Sequence, residues 1–252
     1  MEAALVRVGR SVDGDVPVEG DALVEGLGRF LELLLAKNRE LNLTAVRTFE
    51  DAAVLHIEDS LVVLPEFSLA DGEFCDIGTG GGIPGIPLAL ASGRGGVLLD
   101  SVRKKATAVS GFIDELGLGD RVCAVGDRSE LFATEHSGEF GVVVVRAVAS
   151  LVAVMELATP LLRRSGVLVA MRGTESEGEL EAARRAAEML GLEEESARTF
   201  EIGPEGNIKR SAYCFRLTGE PTVSLPRRPG MAVKRPLVRV QTTSPEEPQN
   251  SV

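Results

Sequence analysis

Apolar residues recur at Leu23, Leu27, Phe30, Leu31, Leu34 and Leu41, the spacing of one helix face, and predict an amphipathic helix over Asp21–Leu41. A second helix is predicted from about Phe49 to Val62. Beyond it the pattern changes. Short apolar runs at Glu73–Ile77, Val97–Asp100, Val122–Val125, Gly141–Val145 and Val167–Met171 alternate with stretches long enough for a crossover helix. This is the pattern of a parallel sheet built from βαβ units. Two further runs, Arg198–Ile202 and Ser211–Leu217, are joined by a short segment bearing Gly-Pro-Glu-Gly. A parallel crossover needs a dozen or more residues, so this pair predicts an antiparallel hairpin. The expected fold is α/β and Rossmann-like: a mostly parallel seven-stranded sheet ending in an antiparallel hairpin, with an N-terminal helical cap. The expected organisation is a cap over 1–65, a core over 66–218 and a tail over 219–252, basic first and disordered from Thr242 to Val252.

Composition narrows the class. Apolar residues make up 44% of the 252-residue chain and aromatics only 4%, which suits strands buried on both faces. No apolar stretch approaches the ~18 residues that a membrane helix needs. Met1–Gly20 carries Glu2, Asp13, Asp15 and Glu19 and lacks the basic-then-apolar order of a signal peptide, so a cytoplasmic location is expected. Cys75, Cys123 and Cys214 lack metal-ligand spacing and sit in apolar runs, so all three are expected in the core and no metal is expected. The net charge of −11 argues against nucleic-acid binding, but its distribution does not: residues 203–240 hold eight bases against two acids. A basic segment on an acidic body is the local footprint that phosphate contacts require, or else a solvated tail.

The segment Phe74 to Pro87 runs from a strand through a glycine-rich turn into a helix, with Pro84 suited to the helix's first turn. Glycines there allow a tight turn and close approach of a ligand to the backbone. Gly80, Gly82 and Gly85 satisfy the spacing of a dinucleotide loop, a weak signal by itself. Asp76, just before the loop, would repel a pyrophosphate and suits a ligand with an ammonium group and no phosphate, such as S-adenosylmethionine. Asp100 ends the second strand 22 residues after Gly78, where an acid bonds ribose hydroxyls in such sites. The next strand end, Gly126 to Glu130, is where adenine would lie. Asp76, Gly80 and Asp100 are therefore expected in a cofactor site.

Five segments in order resemble one family. They are Asn42–Arg47, His56–Ser60, Asp76–Pro87, Arg146–Leu151, and Pro226–Gly230 with Lys234–Leu237. On these residues the chain resembles the bacterial small-subunit (16S) ribosomal RNA guanine-N7 methyltransferases, also called the glucose-inhibited division protein B family, over about residues 21 to 237. The resemblance implies cofactor contacts at Gly78, Ile83, Ser129, Glu130 and Arg146. It implies RNA contacts at Lys104, Arg172 and Arg210, with Arg227 and Arg228 in the basic tail. It places His56 on the RNA side as a catalytic candidate and Arg146 as the residue that positions the reactants. Val145, Val148, Arg172 and Ser211 depart from the family's usual Ser, Phe, Lys and His.

The implied reaction is transfer of a methyl group from S-adenosylmethionine to guanine N7 in 16S ribosomal RNA, within the small subunit or an assembly intermediate. Guanine N7 has a free lone pair at neutral pH, so no base or nucleophilic triad is required, and positioning carries the catalysis. No membrane and no obligate protein partner are implied. A methyltransferase acting on another RNA and a cofactor-binding ribosome-assembly factor remain as alternatives. An NAD-type oxidoreductase is opposed by Asp76 and by the terminal hairpin.

Overall fold

A computed structural model describes residues 1–11 and 20–240. The chain opens with α1 (Glu2–Ser11) and α2 (Asp21–Lys37). It continues through α3 (Phe49–Ala52), a π-helical stretch (Ala53–Glu58), α4 (Asp59–Leu61) and α5 (Leu64–Phe67). The sheet region then runs β1 (Phe74–Ile77), α6 (Gly85–Ser92), β2 (Gly96–Leu99), α7 (Arg103–Glu115), β3 (Val122–Val125), α8 (Ser129–Glu135) and β4 (Phe140–Arg146). It ends with α9 (Leu151–Ala158), β5 (Leu162–Arg172), α10 (Glu177–Leu190), β6 (Leu192–Ile202), β7 (Ile208–Leu217) and the short α11 (Met231–Lys234).

The seven strands form one sheet in the order β3-β2-β1-β4-β5-β7-β6. The first five are parallel, and β7 lies antiparallel between β5 and β6. The order reverses between β1 and β4, so their carboxyl ends flank the crevice where open α/β sheets take their ligands.

Successive residues on a strand face opposite ways, and here both faces are covered. Val142, Val144, Val167 and Val169 pack on one side with α2, α6, α7 and the N-terminal helices. Val143, Val145, Leu168 and Ala170 pack on the other with α9, α10 and the segment after β7. The cap helices are part of the first of these cores, because Leu27, Phe30, Leu34 and Phe67 share it with Phe74 and Leu98. The Phe67 ring meets Phe74 edge-on at 5.2 Å, and Phe30 meets Phe112 of α7 at 6.2 Å.

Several expectations need correction. An additional helix, α1, packs Leu5 and Val8 into the core. α2 ends at Lys37, where Asn38 caps it and turns the chain through hydrogen bonds to Leu43, Thr44 and Val46. Pro84 is the cap residue before α6 rather than a member of its first turn. β5 and β6 are longer than their apolar runs, because their first residues lie at a partly solvated end of the sheet. Cys75 and Cys214 are buried, but Cys123 is exposed, since β3 is an edge strand whose outer residues face water. The segment after Gly219 is packed as far as it is described, with Leu225, Ala232 and Leu237 against the second core. The disorder expected from Thr242 to Val252, and the acids Asp13, Asp15 and Glu19, lie outside the described residues. Among the described residues no helix is long and apolar enough to cross a membrane.

Gly85 sets how closely α6 lies on the sheet. A Cβ there would sit 2.0 Å from Leu98 Cδ2 and 2.8 Å from Asp76 Oδ2. Both neighbours are buried and cannot swing away. Gly85→Ala is expected to lower unfolding free energy by about 1–3 kcal/mol, as overpacking does. Urea titration measures it, and an unchanged midpoint with an unchanged slope would mean that the contact is looser than described.

Candidate functional site

The carboxyl ends of β1, β4 and β5 and the start of β7 border a cavity of about 650 Å³. The glycine loop lines it with Gly78, Gly80, Gly81 and Ile83. Asp59, Arg146, Arg172 and Arg210 line the same cavity, as do Thr44, Phe200 and Ser211. Six of the sequence-predicted residues thus meet at one opening: Gly78, Gly80, Ile83 and Arg146 from the cofactor set, and Arg172 and Arg210 from the RNA set, together with Asp59, the shared partner of Arg146 and Arg210.

The loop is built from backbone. Gly78, Gly80 and Gly82 take φ of 75°, 60° and 89°, in the left-handed region that side-chain-bearing residues avoid. A Cβ at Gly78 would lie 2.5 Å from Val148 Cγ2, while one at Gly80 would meet nothing closer than 3.9 Å. The loop therefore offers a side-chain-free cradle to a ligand. Asp100 holds it from behind: Gly80 N donates to Oδ2 at 2.9 Å and Val102 N to Oδ1 at 2.8 Å.

Asp76 lies beneath the loop rather than in the cavity. Its side chain is fully buried, with Oδ2 accepting from Gly85 N at 2.9 Å and Oδ1 without a hydrogen-bond partner among the described residues. Burial pushes its carboxyl up to about 6, against the pull of Thr79, the Gly85 amide and Arg146. It anchors the loop through the Gly85 amide.

Arg146 ends β4, and its Nη1 donates to Leu55 O and to Asp59 Oδ2, both at 2.9 Å. The next residue, Ala147, takes φ of 53°, a left-handed conformation that costs a non-glycine residue about 1–2 kcal/mol. Arg172, ending β5, donates to the carbonyl of Ala149 and to Glu175, which pins this strained turn. Arg210 of β7 donates from Nε to Asp59 Oδ1 at 3.0 Å. His56 is buried behind Thr44, whose Oγ1 meets Nε2 at 2.8 Å. Burial, reinforced by the charge of Arg146, lowers His56 to about 4, so the ring is neutral at neutral pH.

Other expected residues lie elsewhere. Ser129 and Glu130 open α8 beyond β3. Glu130 is largely buried and accepts from Gly230 N at 2.6 Å and from Arg128. Burial works to raise its carboxyl, but the Gly230 amide and Arg128 hold it below the usual range. Lys104 is exposed near the start of α7 and lines a separate groove against α2. In the tail, Arg228 is exposed, but Arg227 forks onto the buried carboxylate of Glu156, with Nε to Oε1 at 2.7 Å. The residue that sequence reasoning missed is Asp59. It sits in the quoted His56–Ser60 segment, but its partners lie 87 and 151 residues away, where no local pattern reaches.

The family model of rRNA small subunit methyltransferase G matches residues 24–208. The ribosomal RNA small subunit methyltransferase G of Deinococcus radiodurans is 41% identical over 217 residues, 84% of this chain and 85% of that one. Its counterpart in Pelotomaculum thermopropionicum is 36% identical over 212 residues, 82% and 88% of the two chains. Solved structures agree on the fold alone. One, described for the conversion of a disulfide bond into a thioacetal group during echinomycin biosynthesis, has a TM-score of 0.53 at 18% identity and covers 77% of this chain and 94% of its own. The geranyl diphosphate C-methyltransferase of Streptomyces coelicolor, in complex with S-adenosyl-L-homocysteine, has a TM-score of 0.50 at 11% identity over 63% and 78%. Sequence similarity of this extent runs through every strand that borders the cavity, and by it the chain belongs to the rRNA small subunit methyltransferase G family.

Proposed function

We propose that this chain transfers a methyl group from S-adenosylmethionine to N7 of a guanine in 16S ribosomal RNA, within the small subunit or an assembly intermediate. One observation carries the reading: the glycine loop and Arg146, Arg172 and Arg210 line one cavity. A small cofactor and an anionic, acceptor-rich polymer can therefore meet there. The division into a cap (1–65), a core (66–218) and a basic tail is part of the same proposal, with the core holding the cofactor and the flanking segments holding RNA.

The residues present fit the cofactor. The open side of Gly80 admits a ligand against backbone, Ile83 offers an apolar contact and Asp100 stands at the tip of β2. When bound, S-adenosylmethionine supplies a methyl group on a positively charged sulfur that leaves as a neutral thioether. Guanine N7 takes that carbon through its in-plane lone pair and releases no proton, so the chain has no base to provide. This agrees with the neutral, buried His56, whose bond to Thr44 suits orientation of the cavity wall. Arginine stays protonated and cannot be a base either. Arg146, Arg172 and Arg210 instead hold the reactants in line, where a misplacement of ~1 Å can lower the rate ~100-fold.

Three outcomes test the reading. Calorimetry should detect S-adenosylmethionine and not NAD, and Asp100→Ala should weaken the former by about 1.5–3 kcal/mol, as for loss of a charge-assisted hydrogen bond. Tight NAD binding, or an unchanged Asp100→Ala affinity, counts against the cofactor assignment. Methyl transfer to small subunits should yield 7-methylguanosine on nuclease digestion and mass spectrometry, and a folded Arg146→Ala variant should turn over about 100-fold more slowly. Label at another atom, or full activity in that variant, contradicts the mechanism. The exposed Arg228, Lys234 and Arg235 should contact phosphates. Replacing all three with Gln should flatten the dependence of log affinity on log salt by about 2. An unchanged slope would make this part of the tail a solvated surface.

A further inference from the structure

The helix that carries Asp59 is wound so as to serve Arg146. In an α-helix the Asp59 amide would bond to the carbonyl of Leu55. Here the chain passes through the π-helical stretch Ala53–Glu58, and the Asp59 amide bonds to Val54 O instead. Leu55 O is thereby released, and Arg146 Nη1 takes it at 2.9 Å. Single π turns inside helices recur at functional sites. The same helix supplies the Asp59 carboxylate, whose side chain is only 5% exposed. Its two oxygens are divided between two strands, Oδ2 to Arg146 on β4 and Oδ1 to Arg210 on β7, at 2.9 and 3.0 Å.

This division fixes what the arginines have left to offer. Among the described residues Arg146 is held through Nη1 alone, which leaves Nε and Nη2 without a partner there. Arg210 uses Nε for Asp59 and Nη1 for the Lys209 carbonyl, which leaves Nη2 without one among the same residues. Both residues line the cavity beside the glycine loop. Two guanidinium groups sharing one carboxylate carry a net positive charge, and their remaining donors suit an oxyanion.

We propose that Asp59 is a positioning residue that joins Arg146 and Arg210 into one rigid clamp for an oxyanion of the reactants, either a phosphodiester of the RNA or the carboxylate of the cofactor. The inference rests on the proposed methyl transfer for its activity readout only. Asp59 touches neither reactant. It sets the direction of donors that do, and it keeps two neighbouring cations from turning apart.

The test compares Asp59→Asn, Arg210→Gln and the double variant with the wild type. The measurements are methyl transfer to small subunits, calorimetry with S-adenosylhomocysteine and with 5′-methylthioadenosine, and thermal unfolding. Asp59→Asn should lose about 10- to 100-fold in one binding or rate parameter, the range of one charge-assisted interaction. A rise in KM for RNA with cofactor affinity unchanged assigns the clamp to a phosphodiester. A loss of S-adenosylhomocysteine affinity with 5′-methylthioadenosine unaffected assigns it to the carboxylate, because only the former carries one. In either case Arg210→Gln should reproduce part of the effect, and the double variant should fall no further than Asp59→Asn, as expected for residues acting as a unit. Effects that add, or a variant altered only in melting temperature, would overturn the proposal. Should Asp59→Asn fail to fold, Arg210→Gln keeps the Asp59–Arg146 pair intact, and wild-type parameters in it would overturn the proposal equally. Absence of methyl transfer by the wild type would remove the proposed function and with it the phosphodiester arm; the calorimetric comparison would then test the clamp alone, and an unchanged S-adenosylhomocysteine affinity in Asp59→Asn would overturn it.

Discussion

A carboxylate removed from water needs a cation or hydrogen-bond donors to keep its charge, and among the described residues four buried acids meet an arginine brought from far along the sequence. Glu58 takes Arg7 of α1, Glu66 takes Arg198 of β6, Asp59 takes Arg146 and Arg210, and Glu156 takes Arg227 of the tail. Each acid lies on a helix or helical stretch beside the sheet, and its arginine comes from α1, from a strand or from the tail. Such pairs contribute little net stability compared with apolar groups of the same shape, but breaking one by removing a single partner leaves a buried charge and is strongly destabilising. Their effect is therefore on arrangement. The N-terminal helix, the last strands and the tail have one way to sit because each has one buried acid to satisfy.

The same constraint places the site. Glu58 and Asp59 are adjacent, one holding Arg7 and the amide of Gly203, the other holding the two arginines of the cavity. The first fixes the helix against α1 and the β6–β7 turn, and the second uses that fixed helix as a reference for β4 and β7. The loop is fixed by the corresponding device at shorter range, with Asp76 and Asp100 each gripping a glycine amide. The loop and the arginines are thus both held by buried carboxylates before any ligand arrives, which is the meaning of preorganisation in a site that works by positioning.

Much of this was legible in the sequence, and the rest was hidden for identifiable reasons. The parallel sheet could be read because strands buried on both faces must be continuous in Val, Leu and Ile, and the hairpin because its connection is too short for a crossover. The glycine loop was visible because only glycine takes the φ values found at Gly78, Gly80 and Gly82. Asp76 stands out in the sequence as an acid before the loop, but the pattern does not show that its Oδ2 takes the Gly85 amide. Position in a motif does not say which way a side chain turns. Arg227 and Asp59 illustrate the limit more sharply. A basic run and an acid in a helix both look solvated until the fold supplies Glu156 to one and two arginines to the other. The π turn is likewise silent in the pattern, because it changes which carbonyl is free without changing which residues are apolar.

On the proposed reaction, methylation at N7 leaves the guanine with a positive charge, in a cavity that already contains three arginines. A site that merely concentrated cations there would oppose its own product. The chain avoids this by spreading carboxylates among the cations: Asp59 sits between Arg146 and Arg210, and Glu175 accepts from Arg172. The carboxylates offset part of the arginine charge at hydrogen-bond distance, where attraction is strongest, and Arg146 and Arg210 keep donors and a net positive charge for an anionic partner. Because the cofactor's sulfur gives up its positive charge as N7 acquires one, the net charge of the reacting pair is constant, and the walls need not respond to it. Direction of donors then matters more than total charge, and direction is what a buried acid shared between two strands supplies.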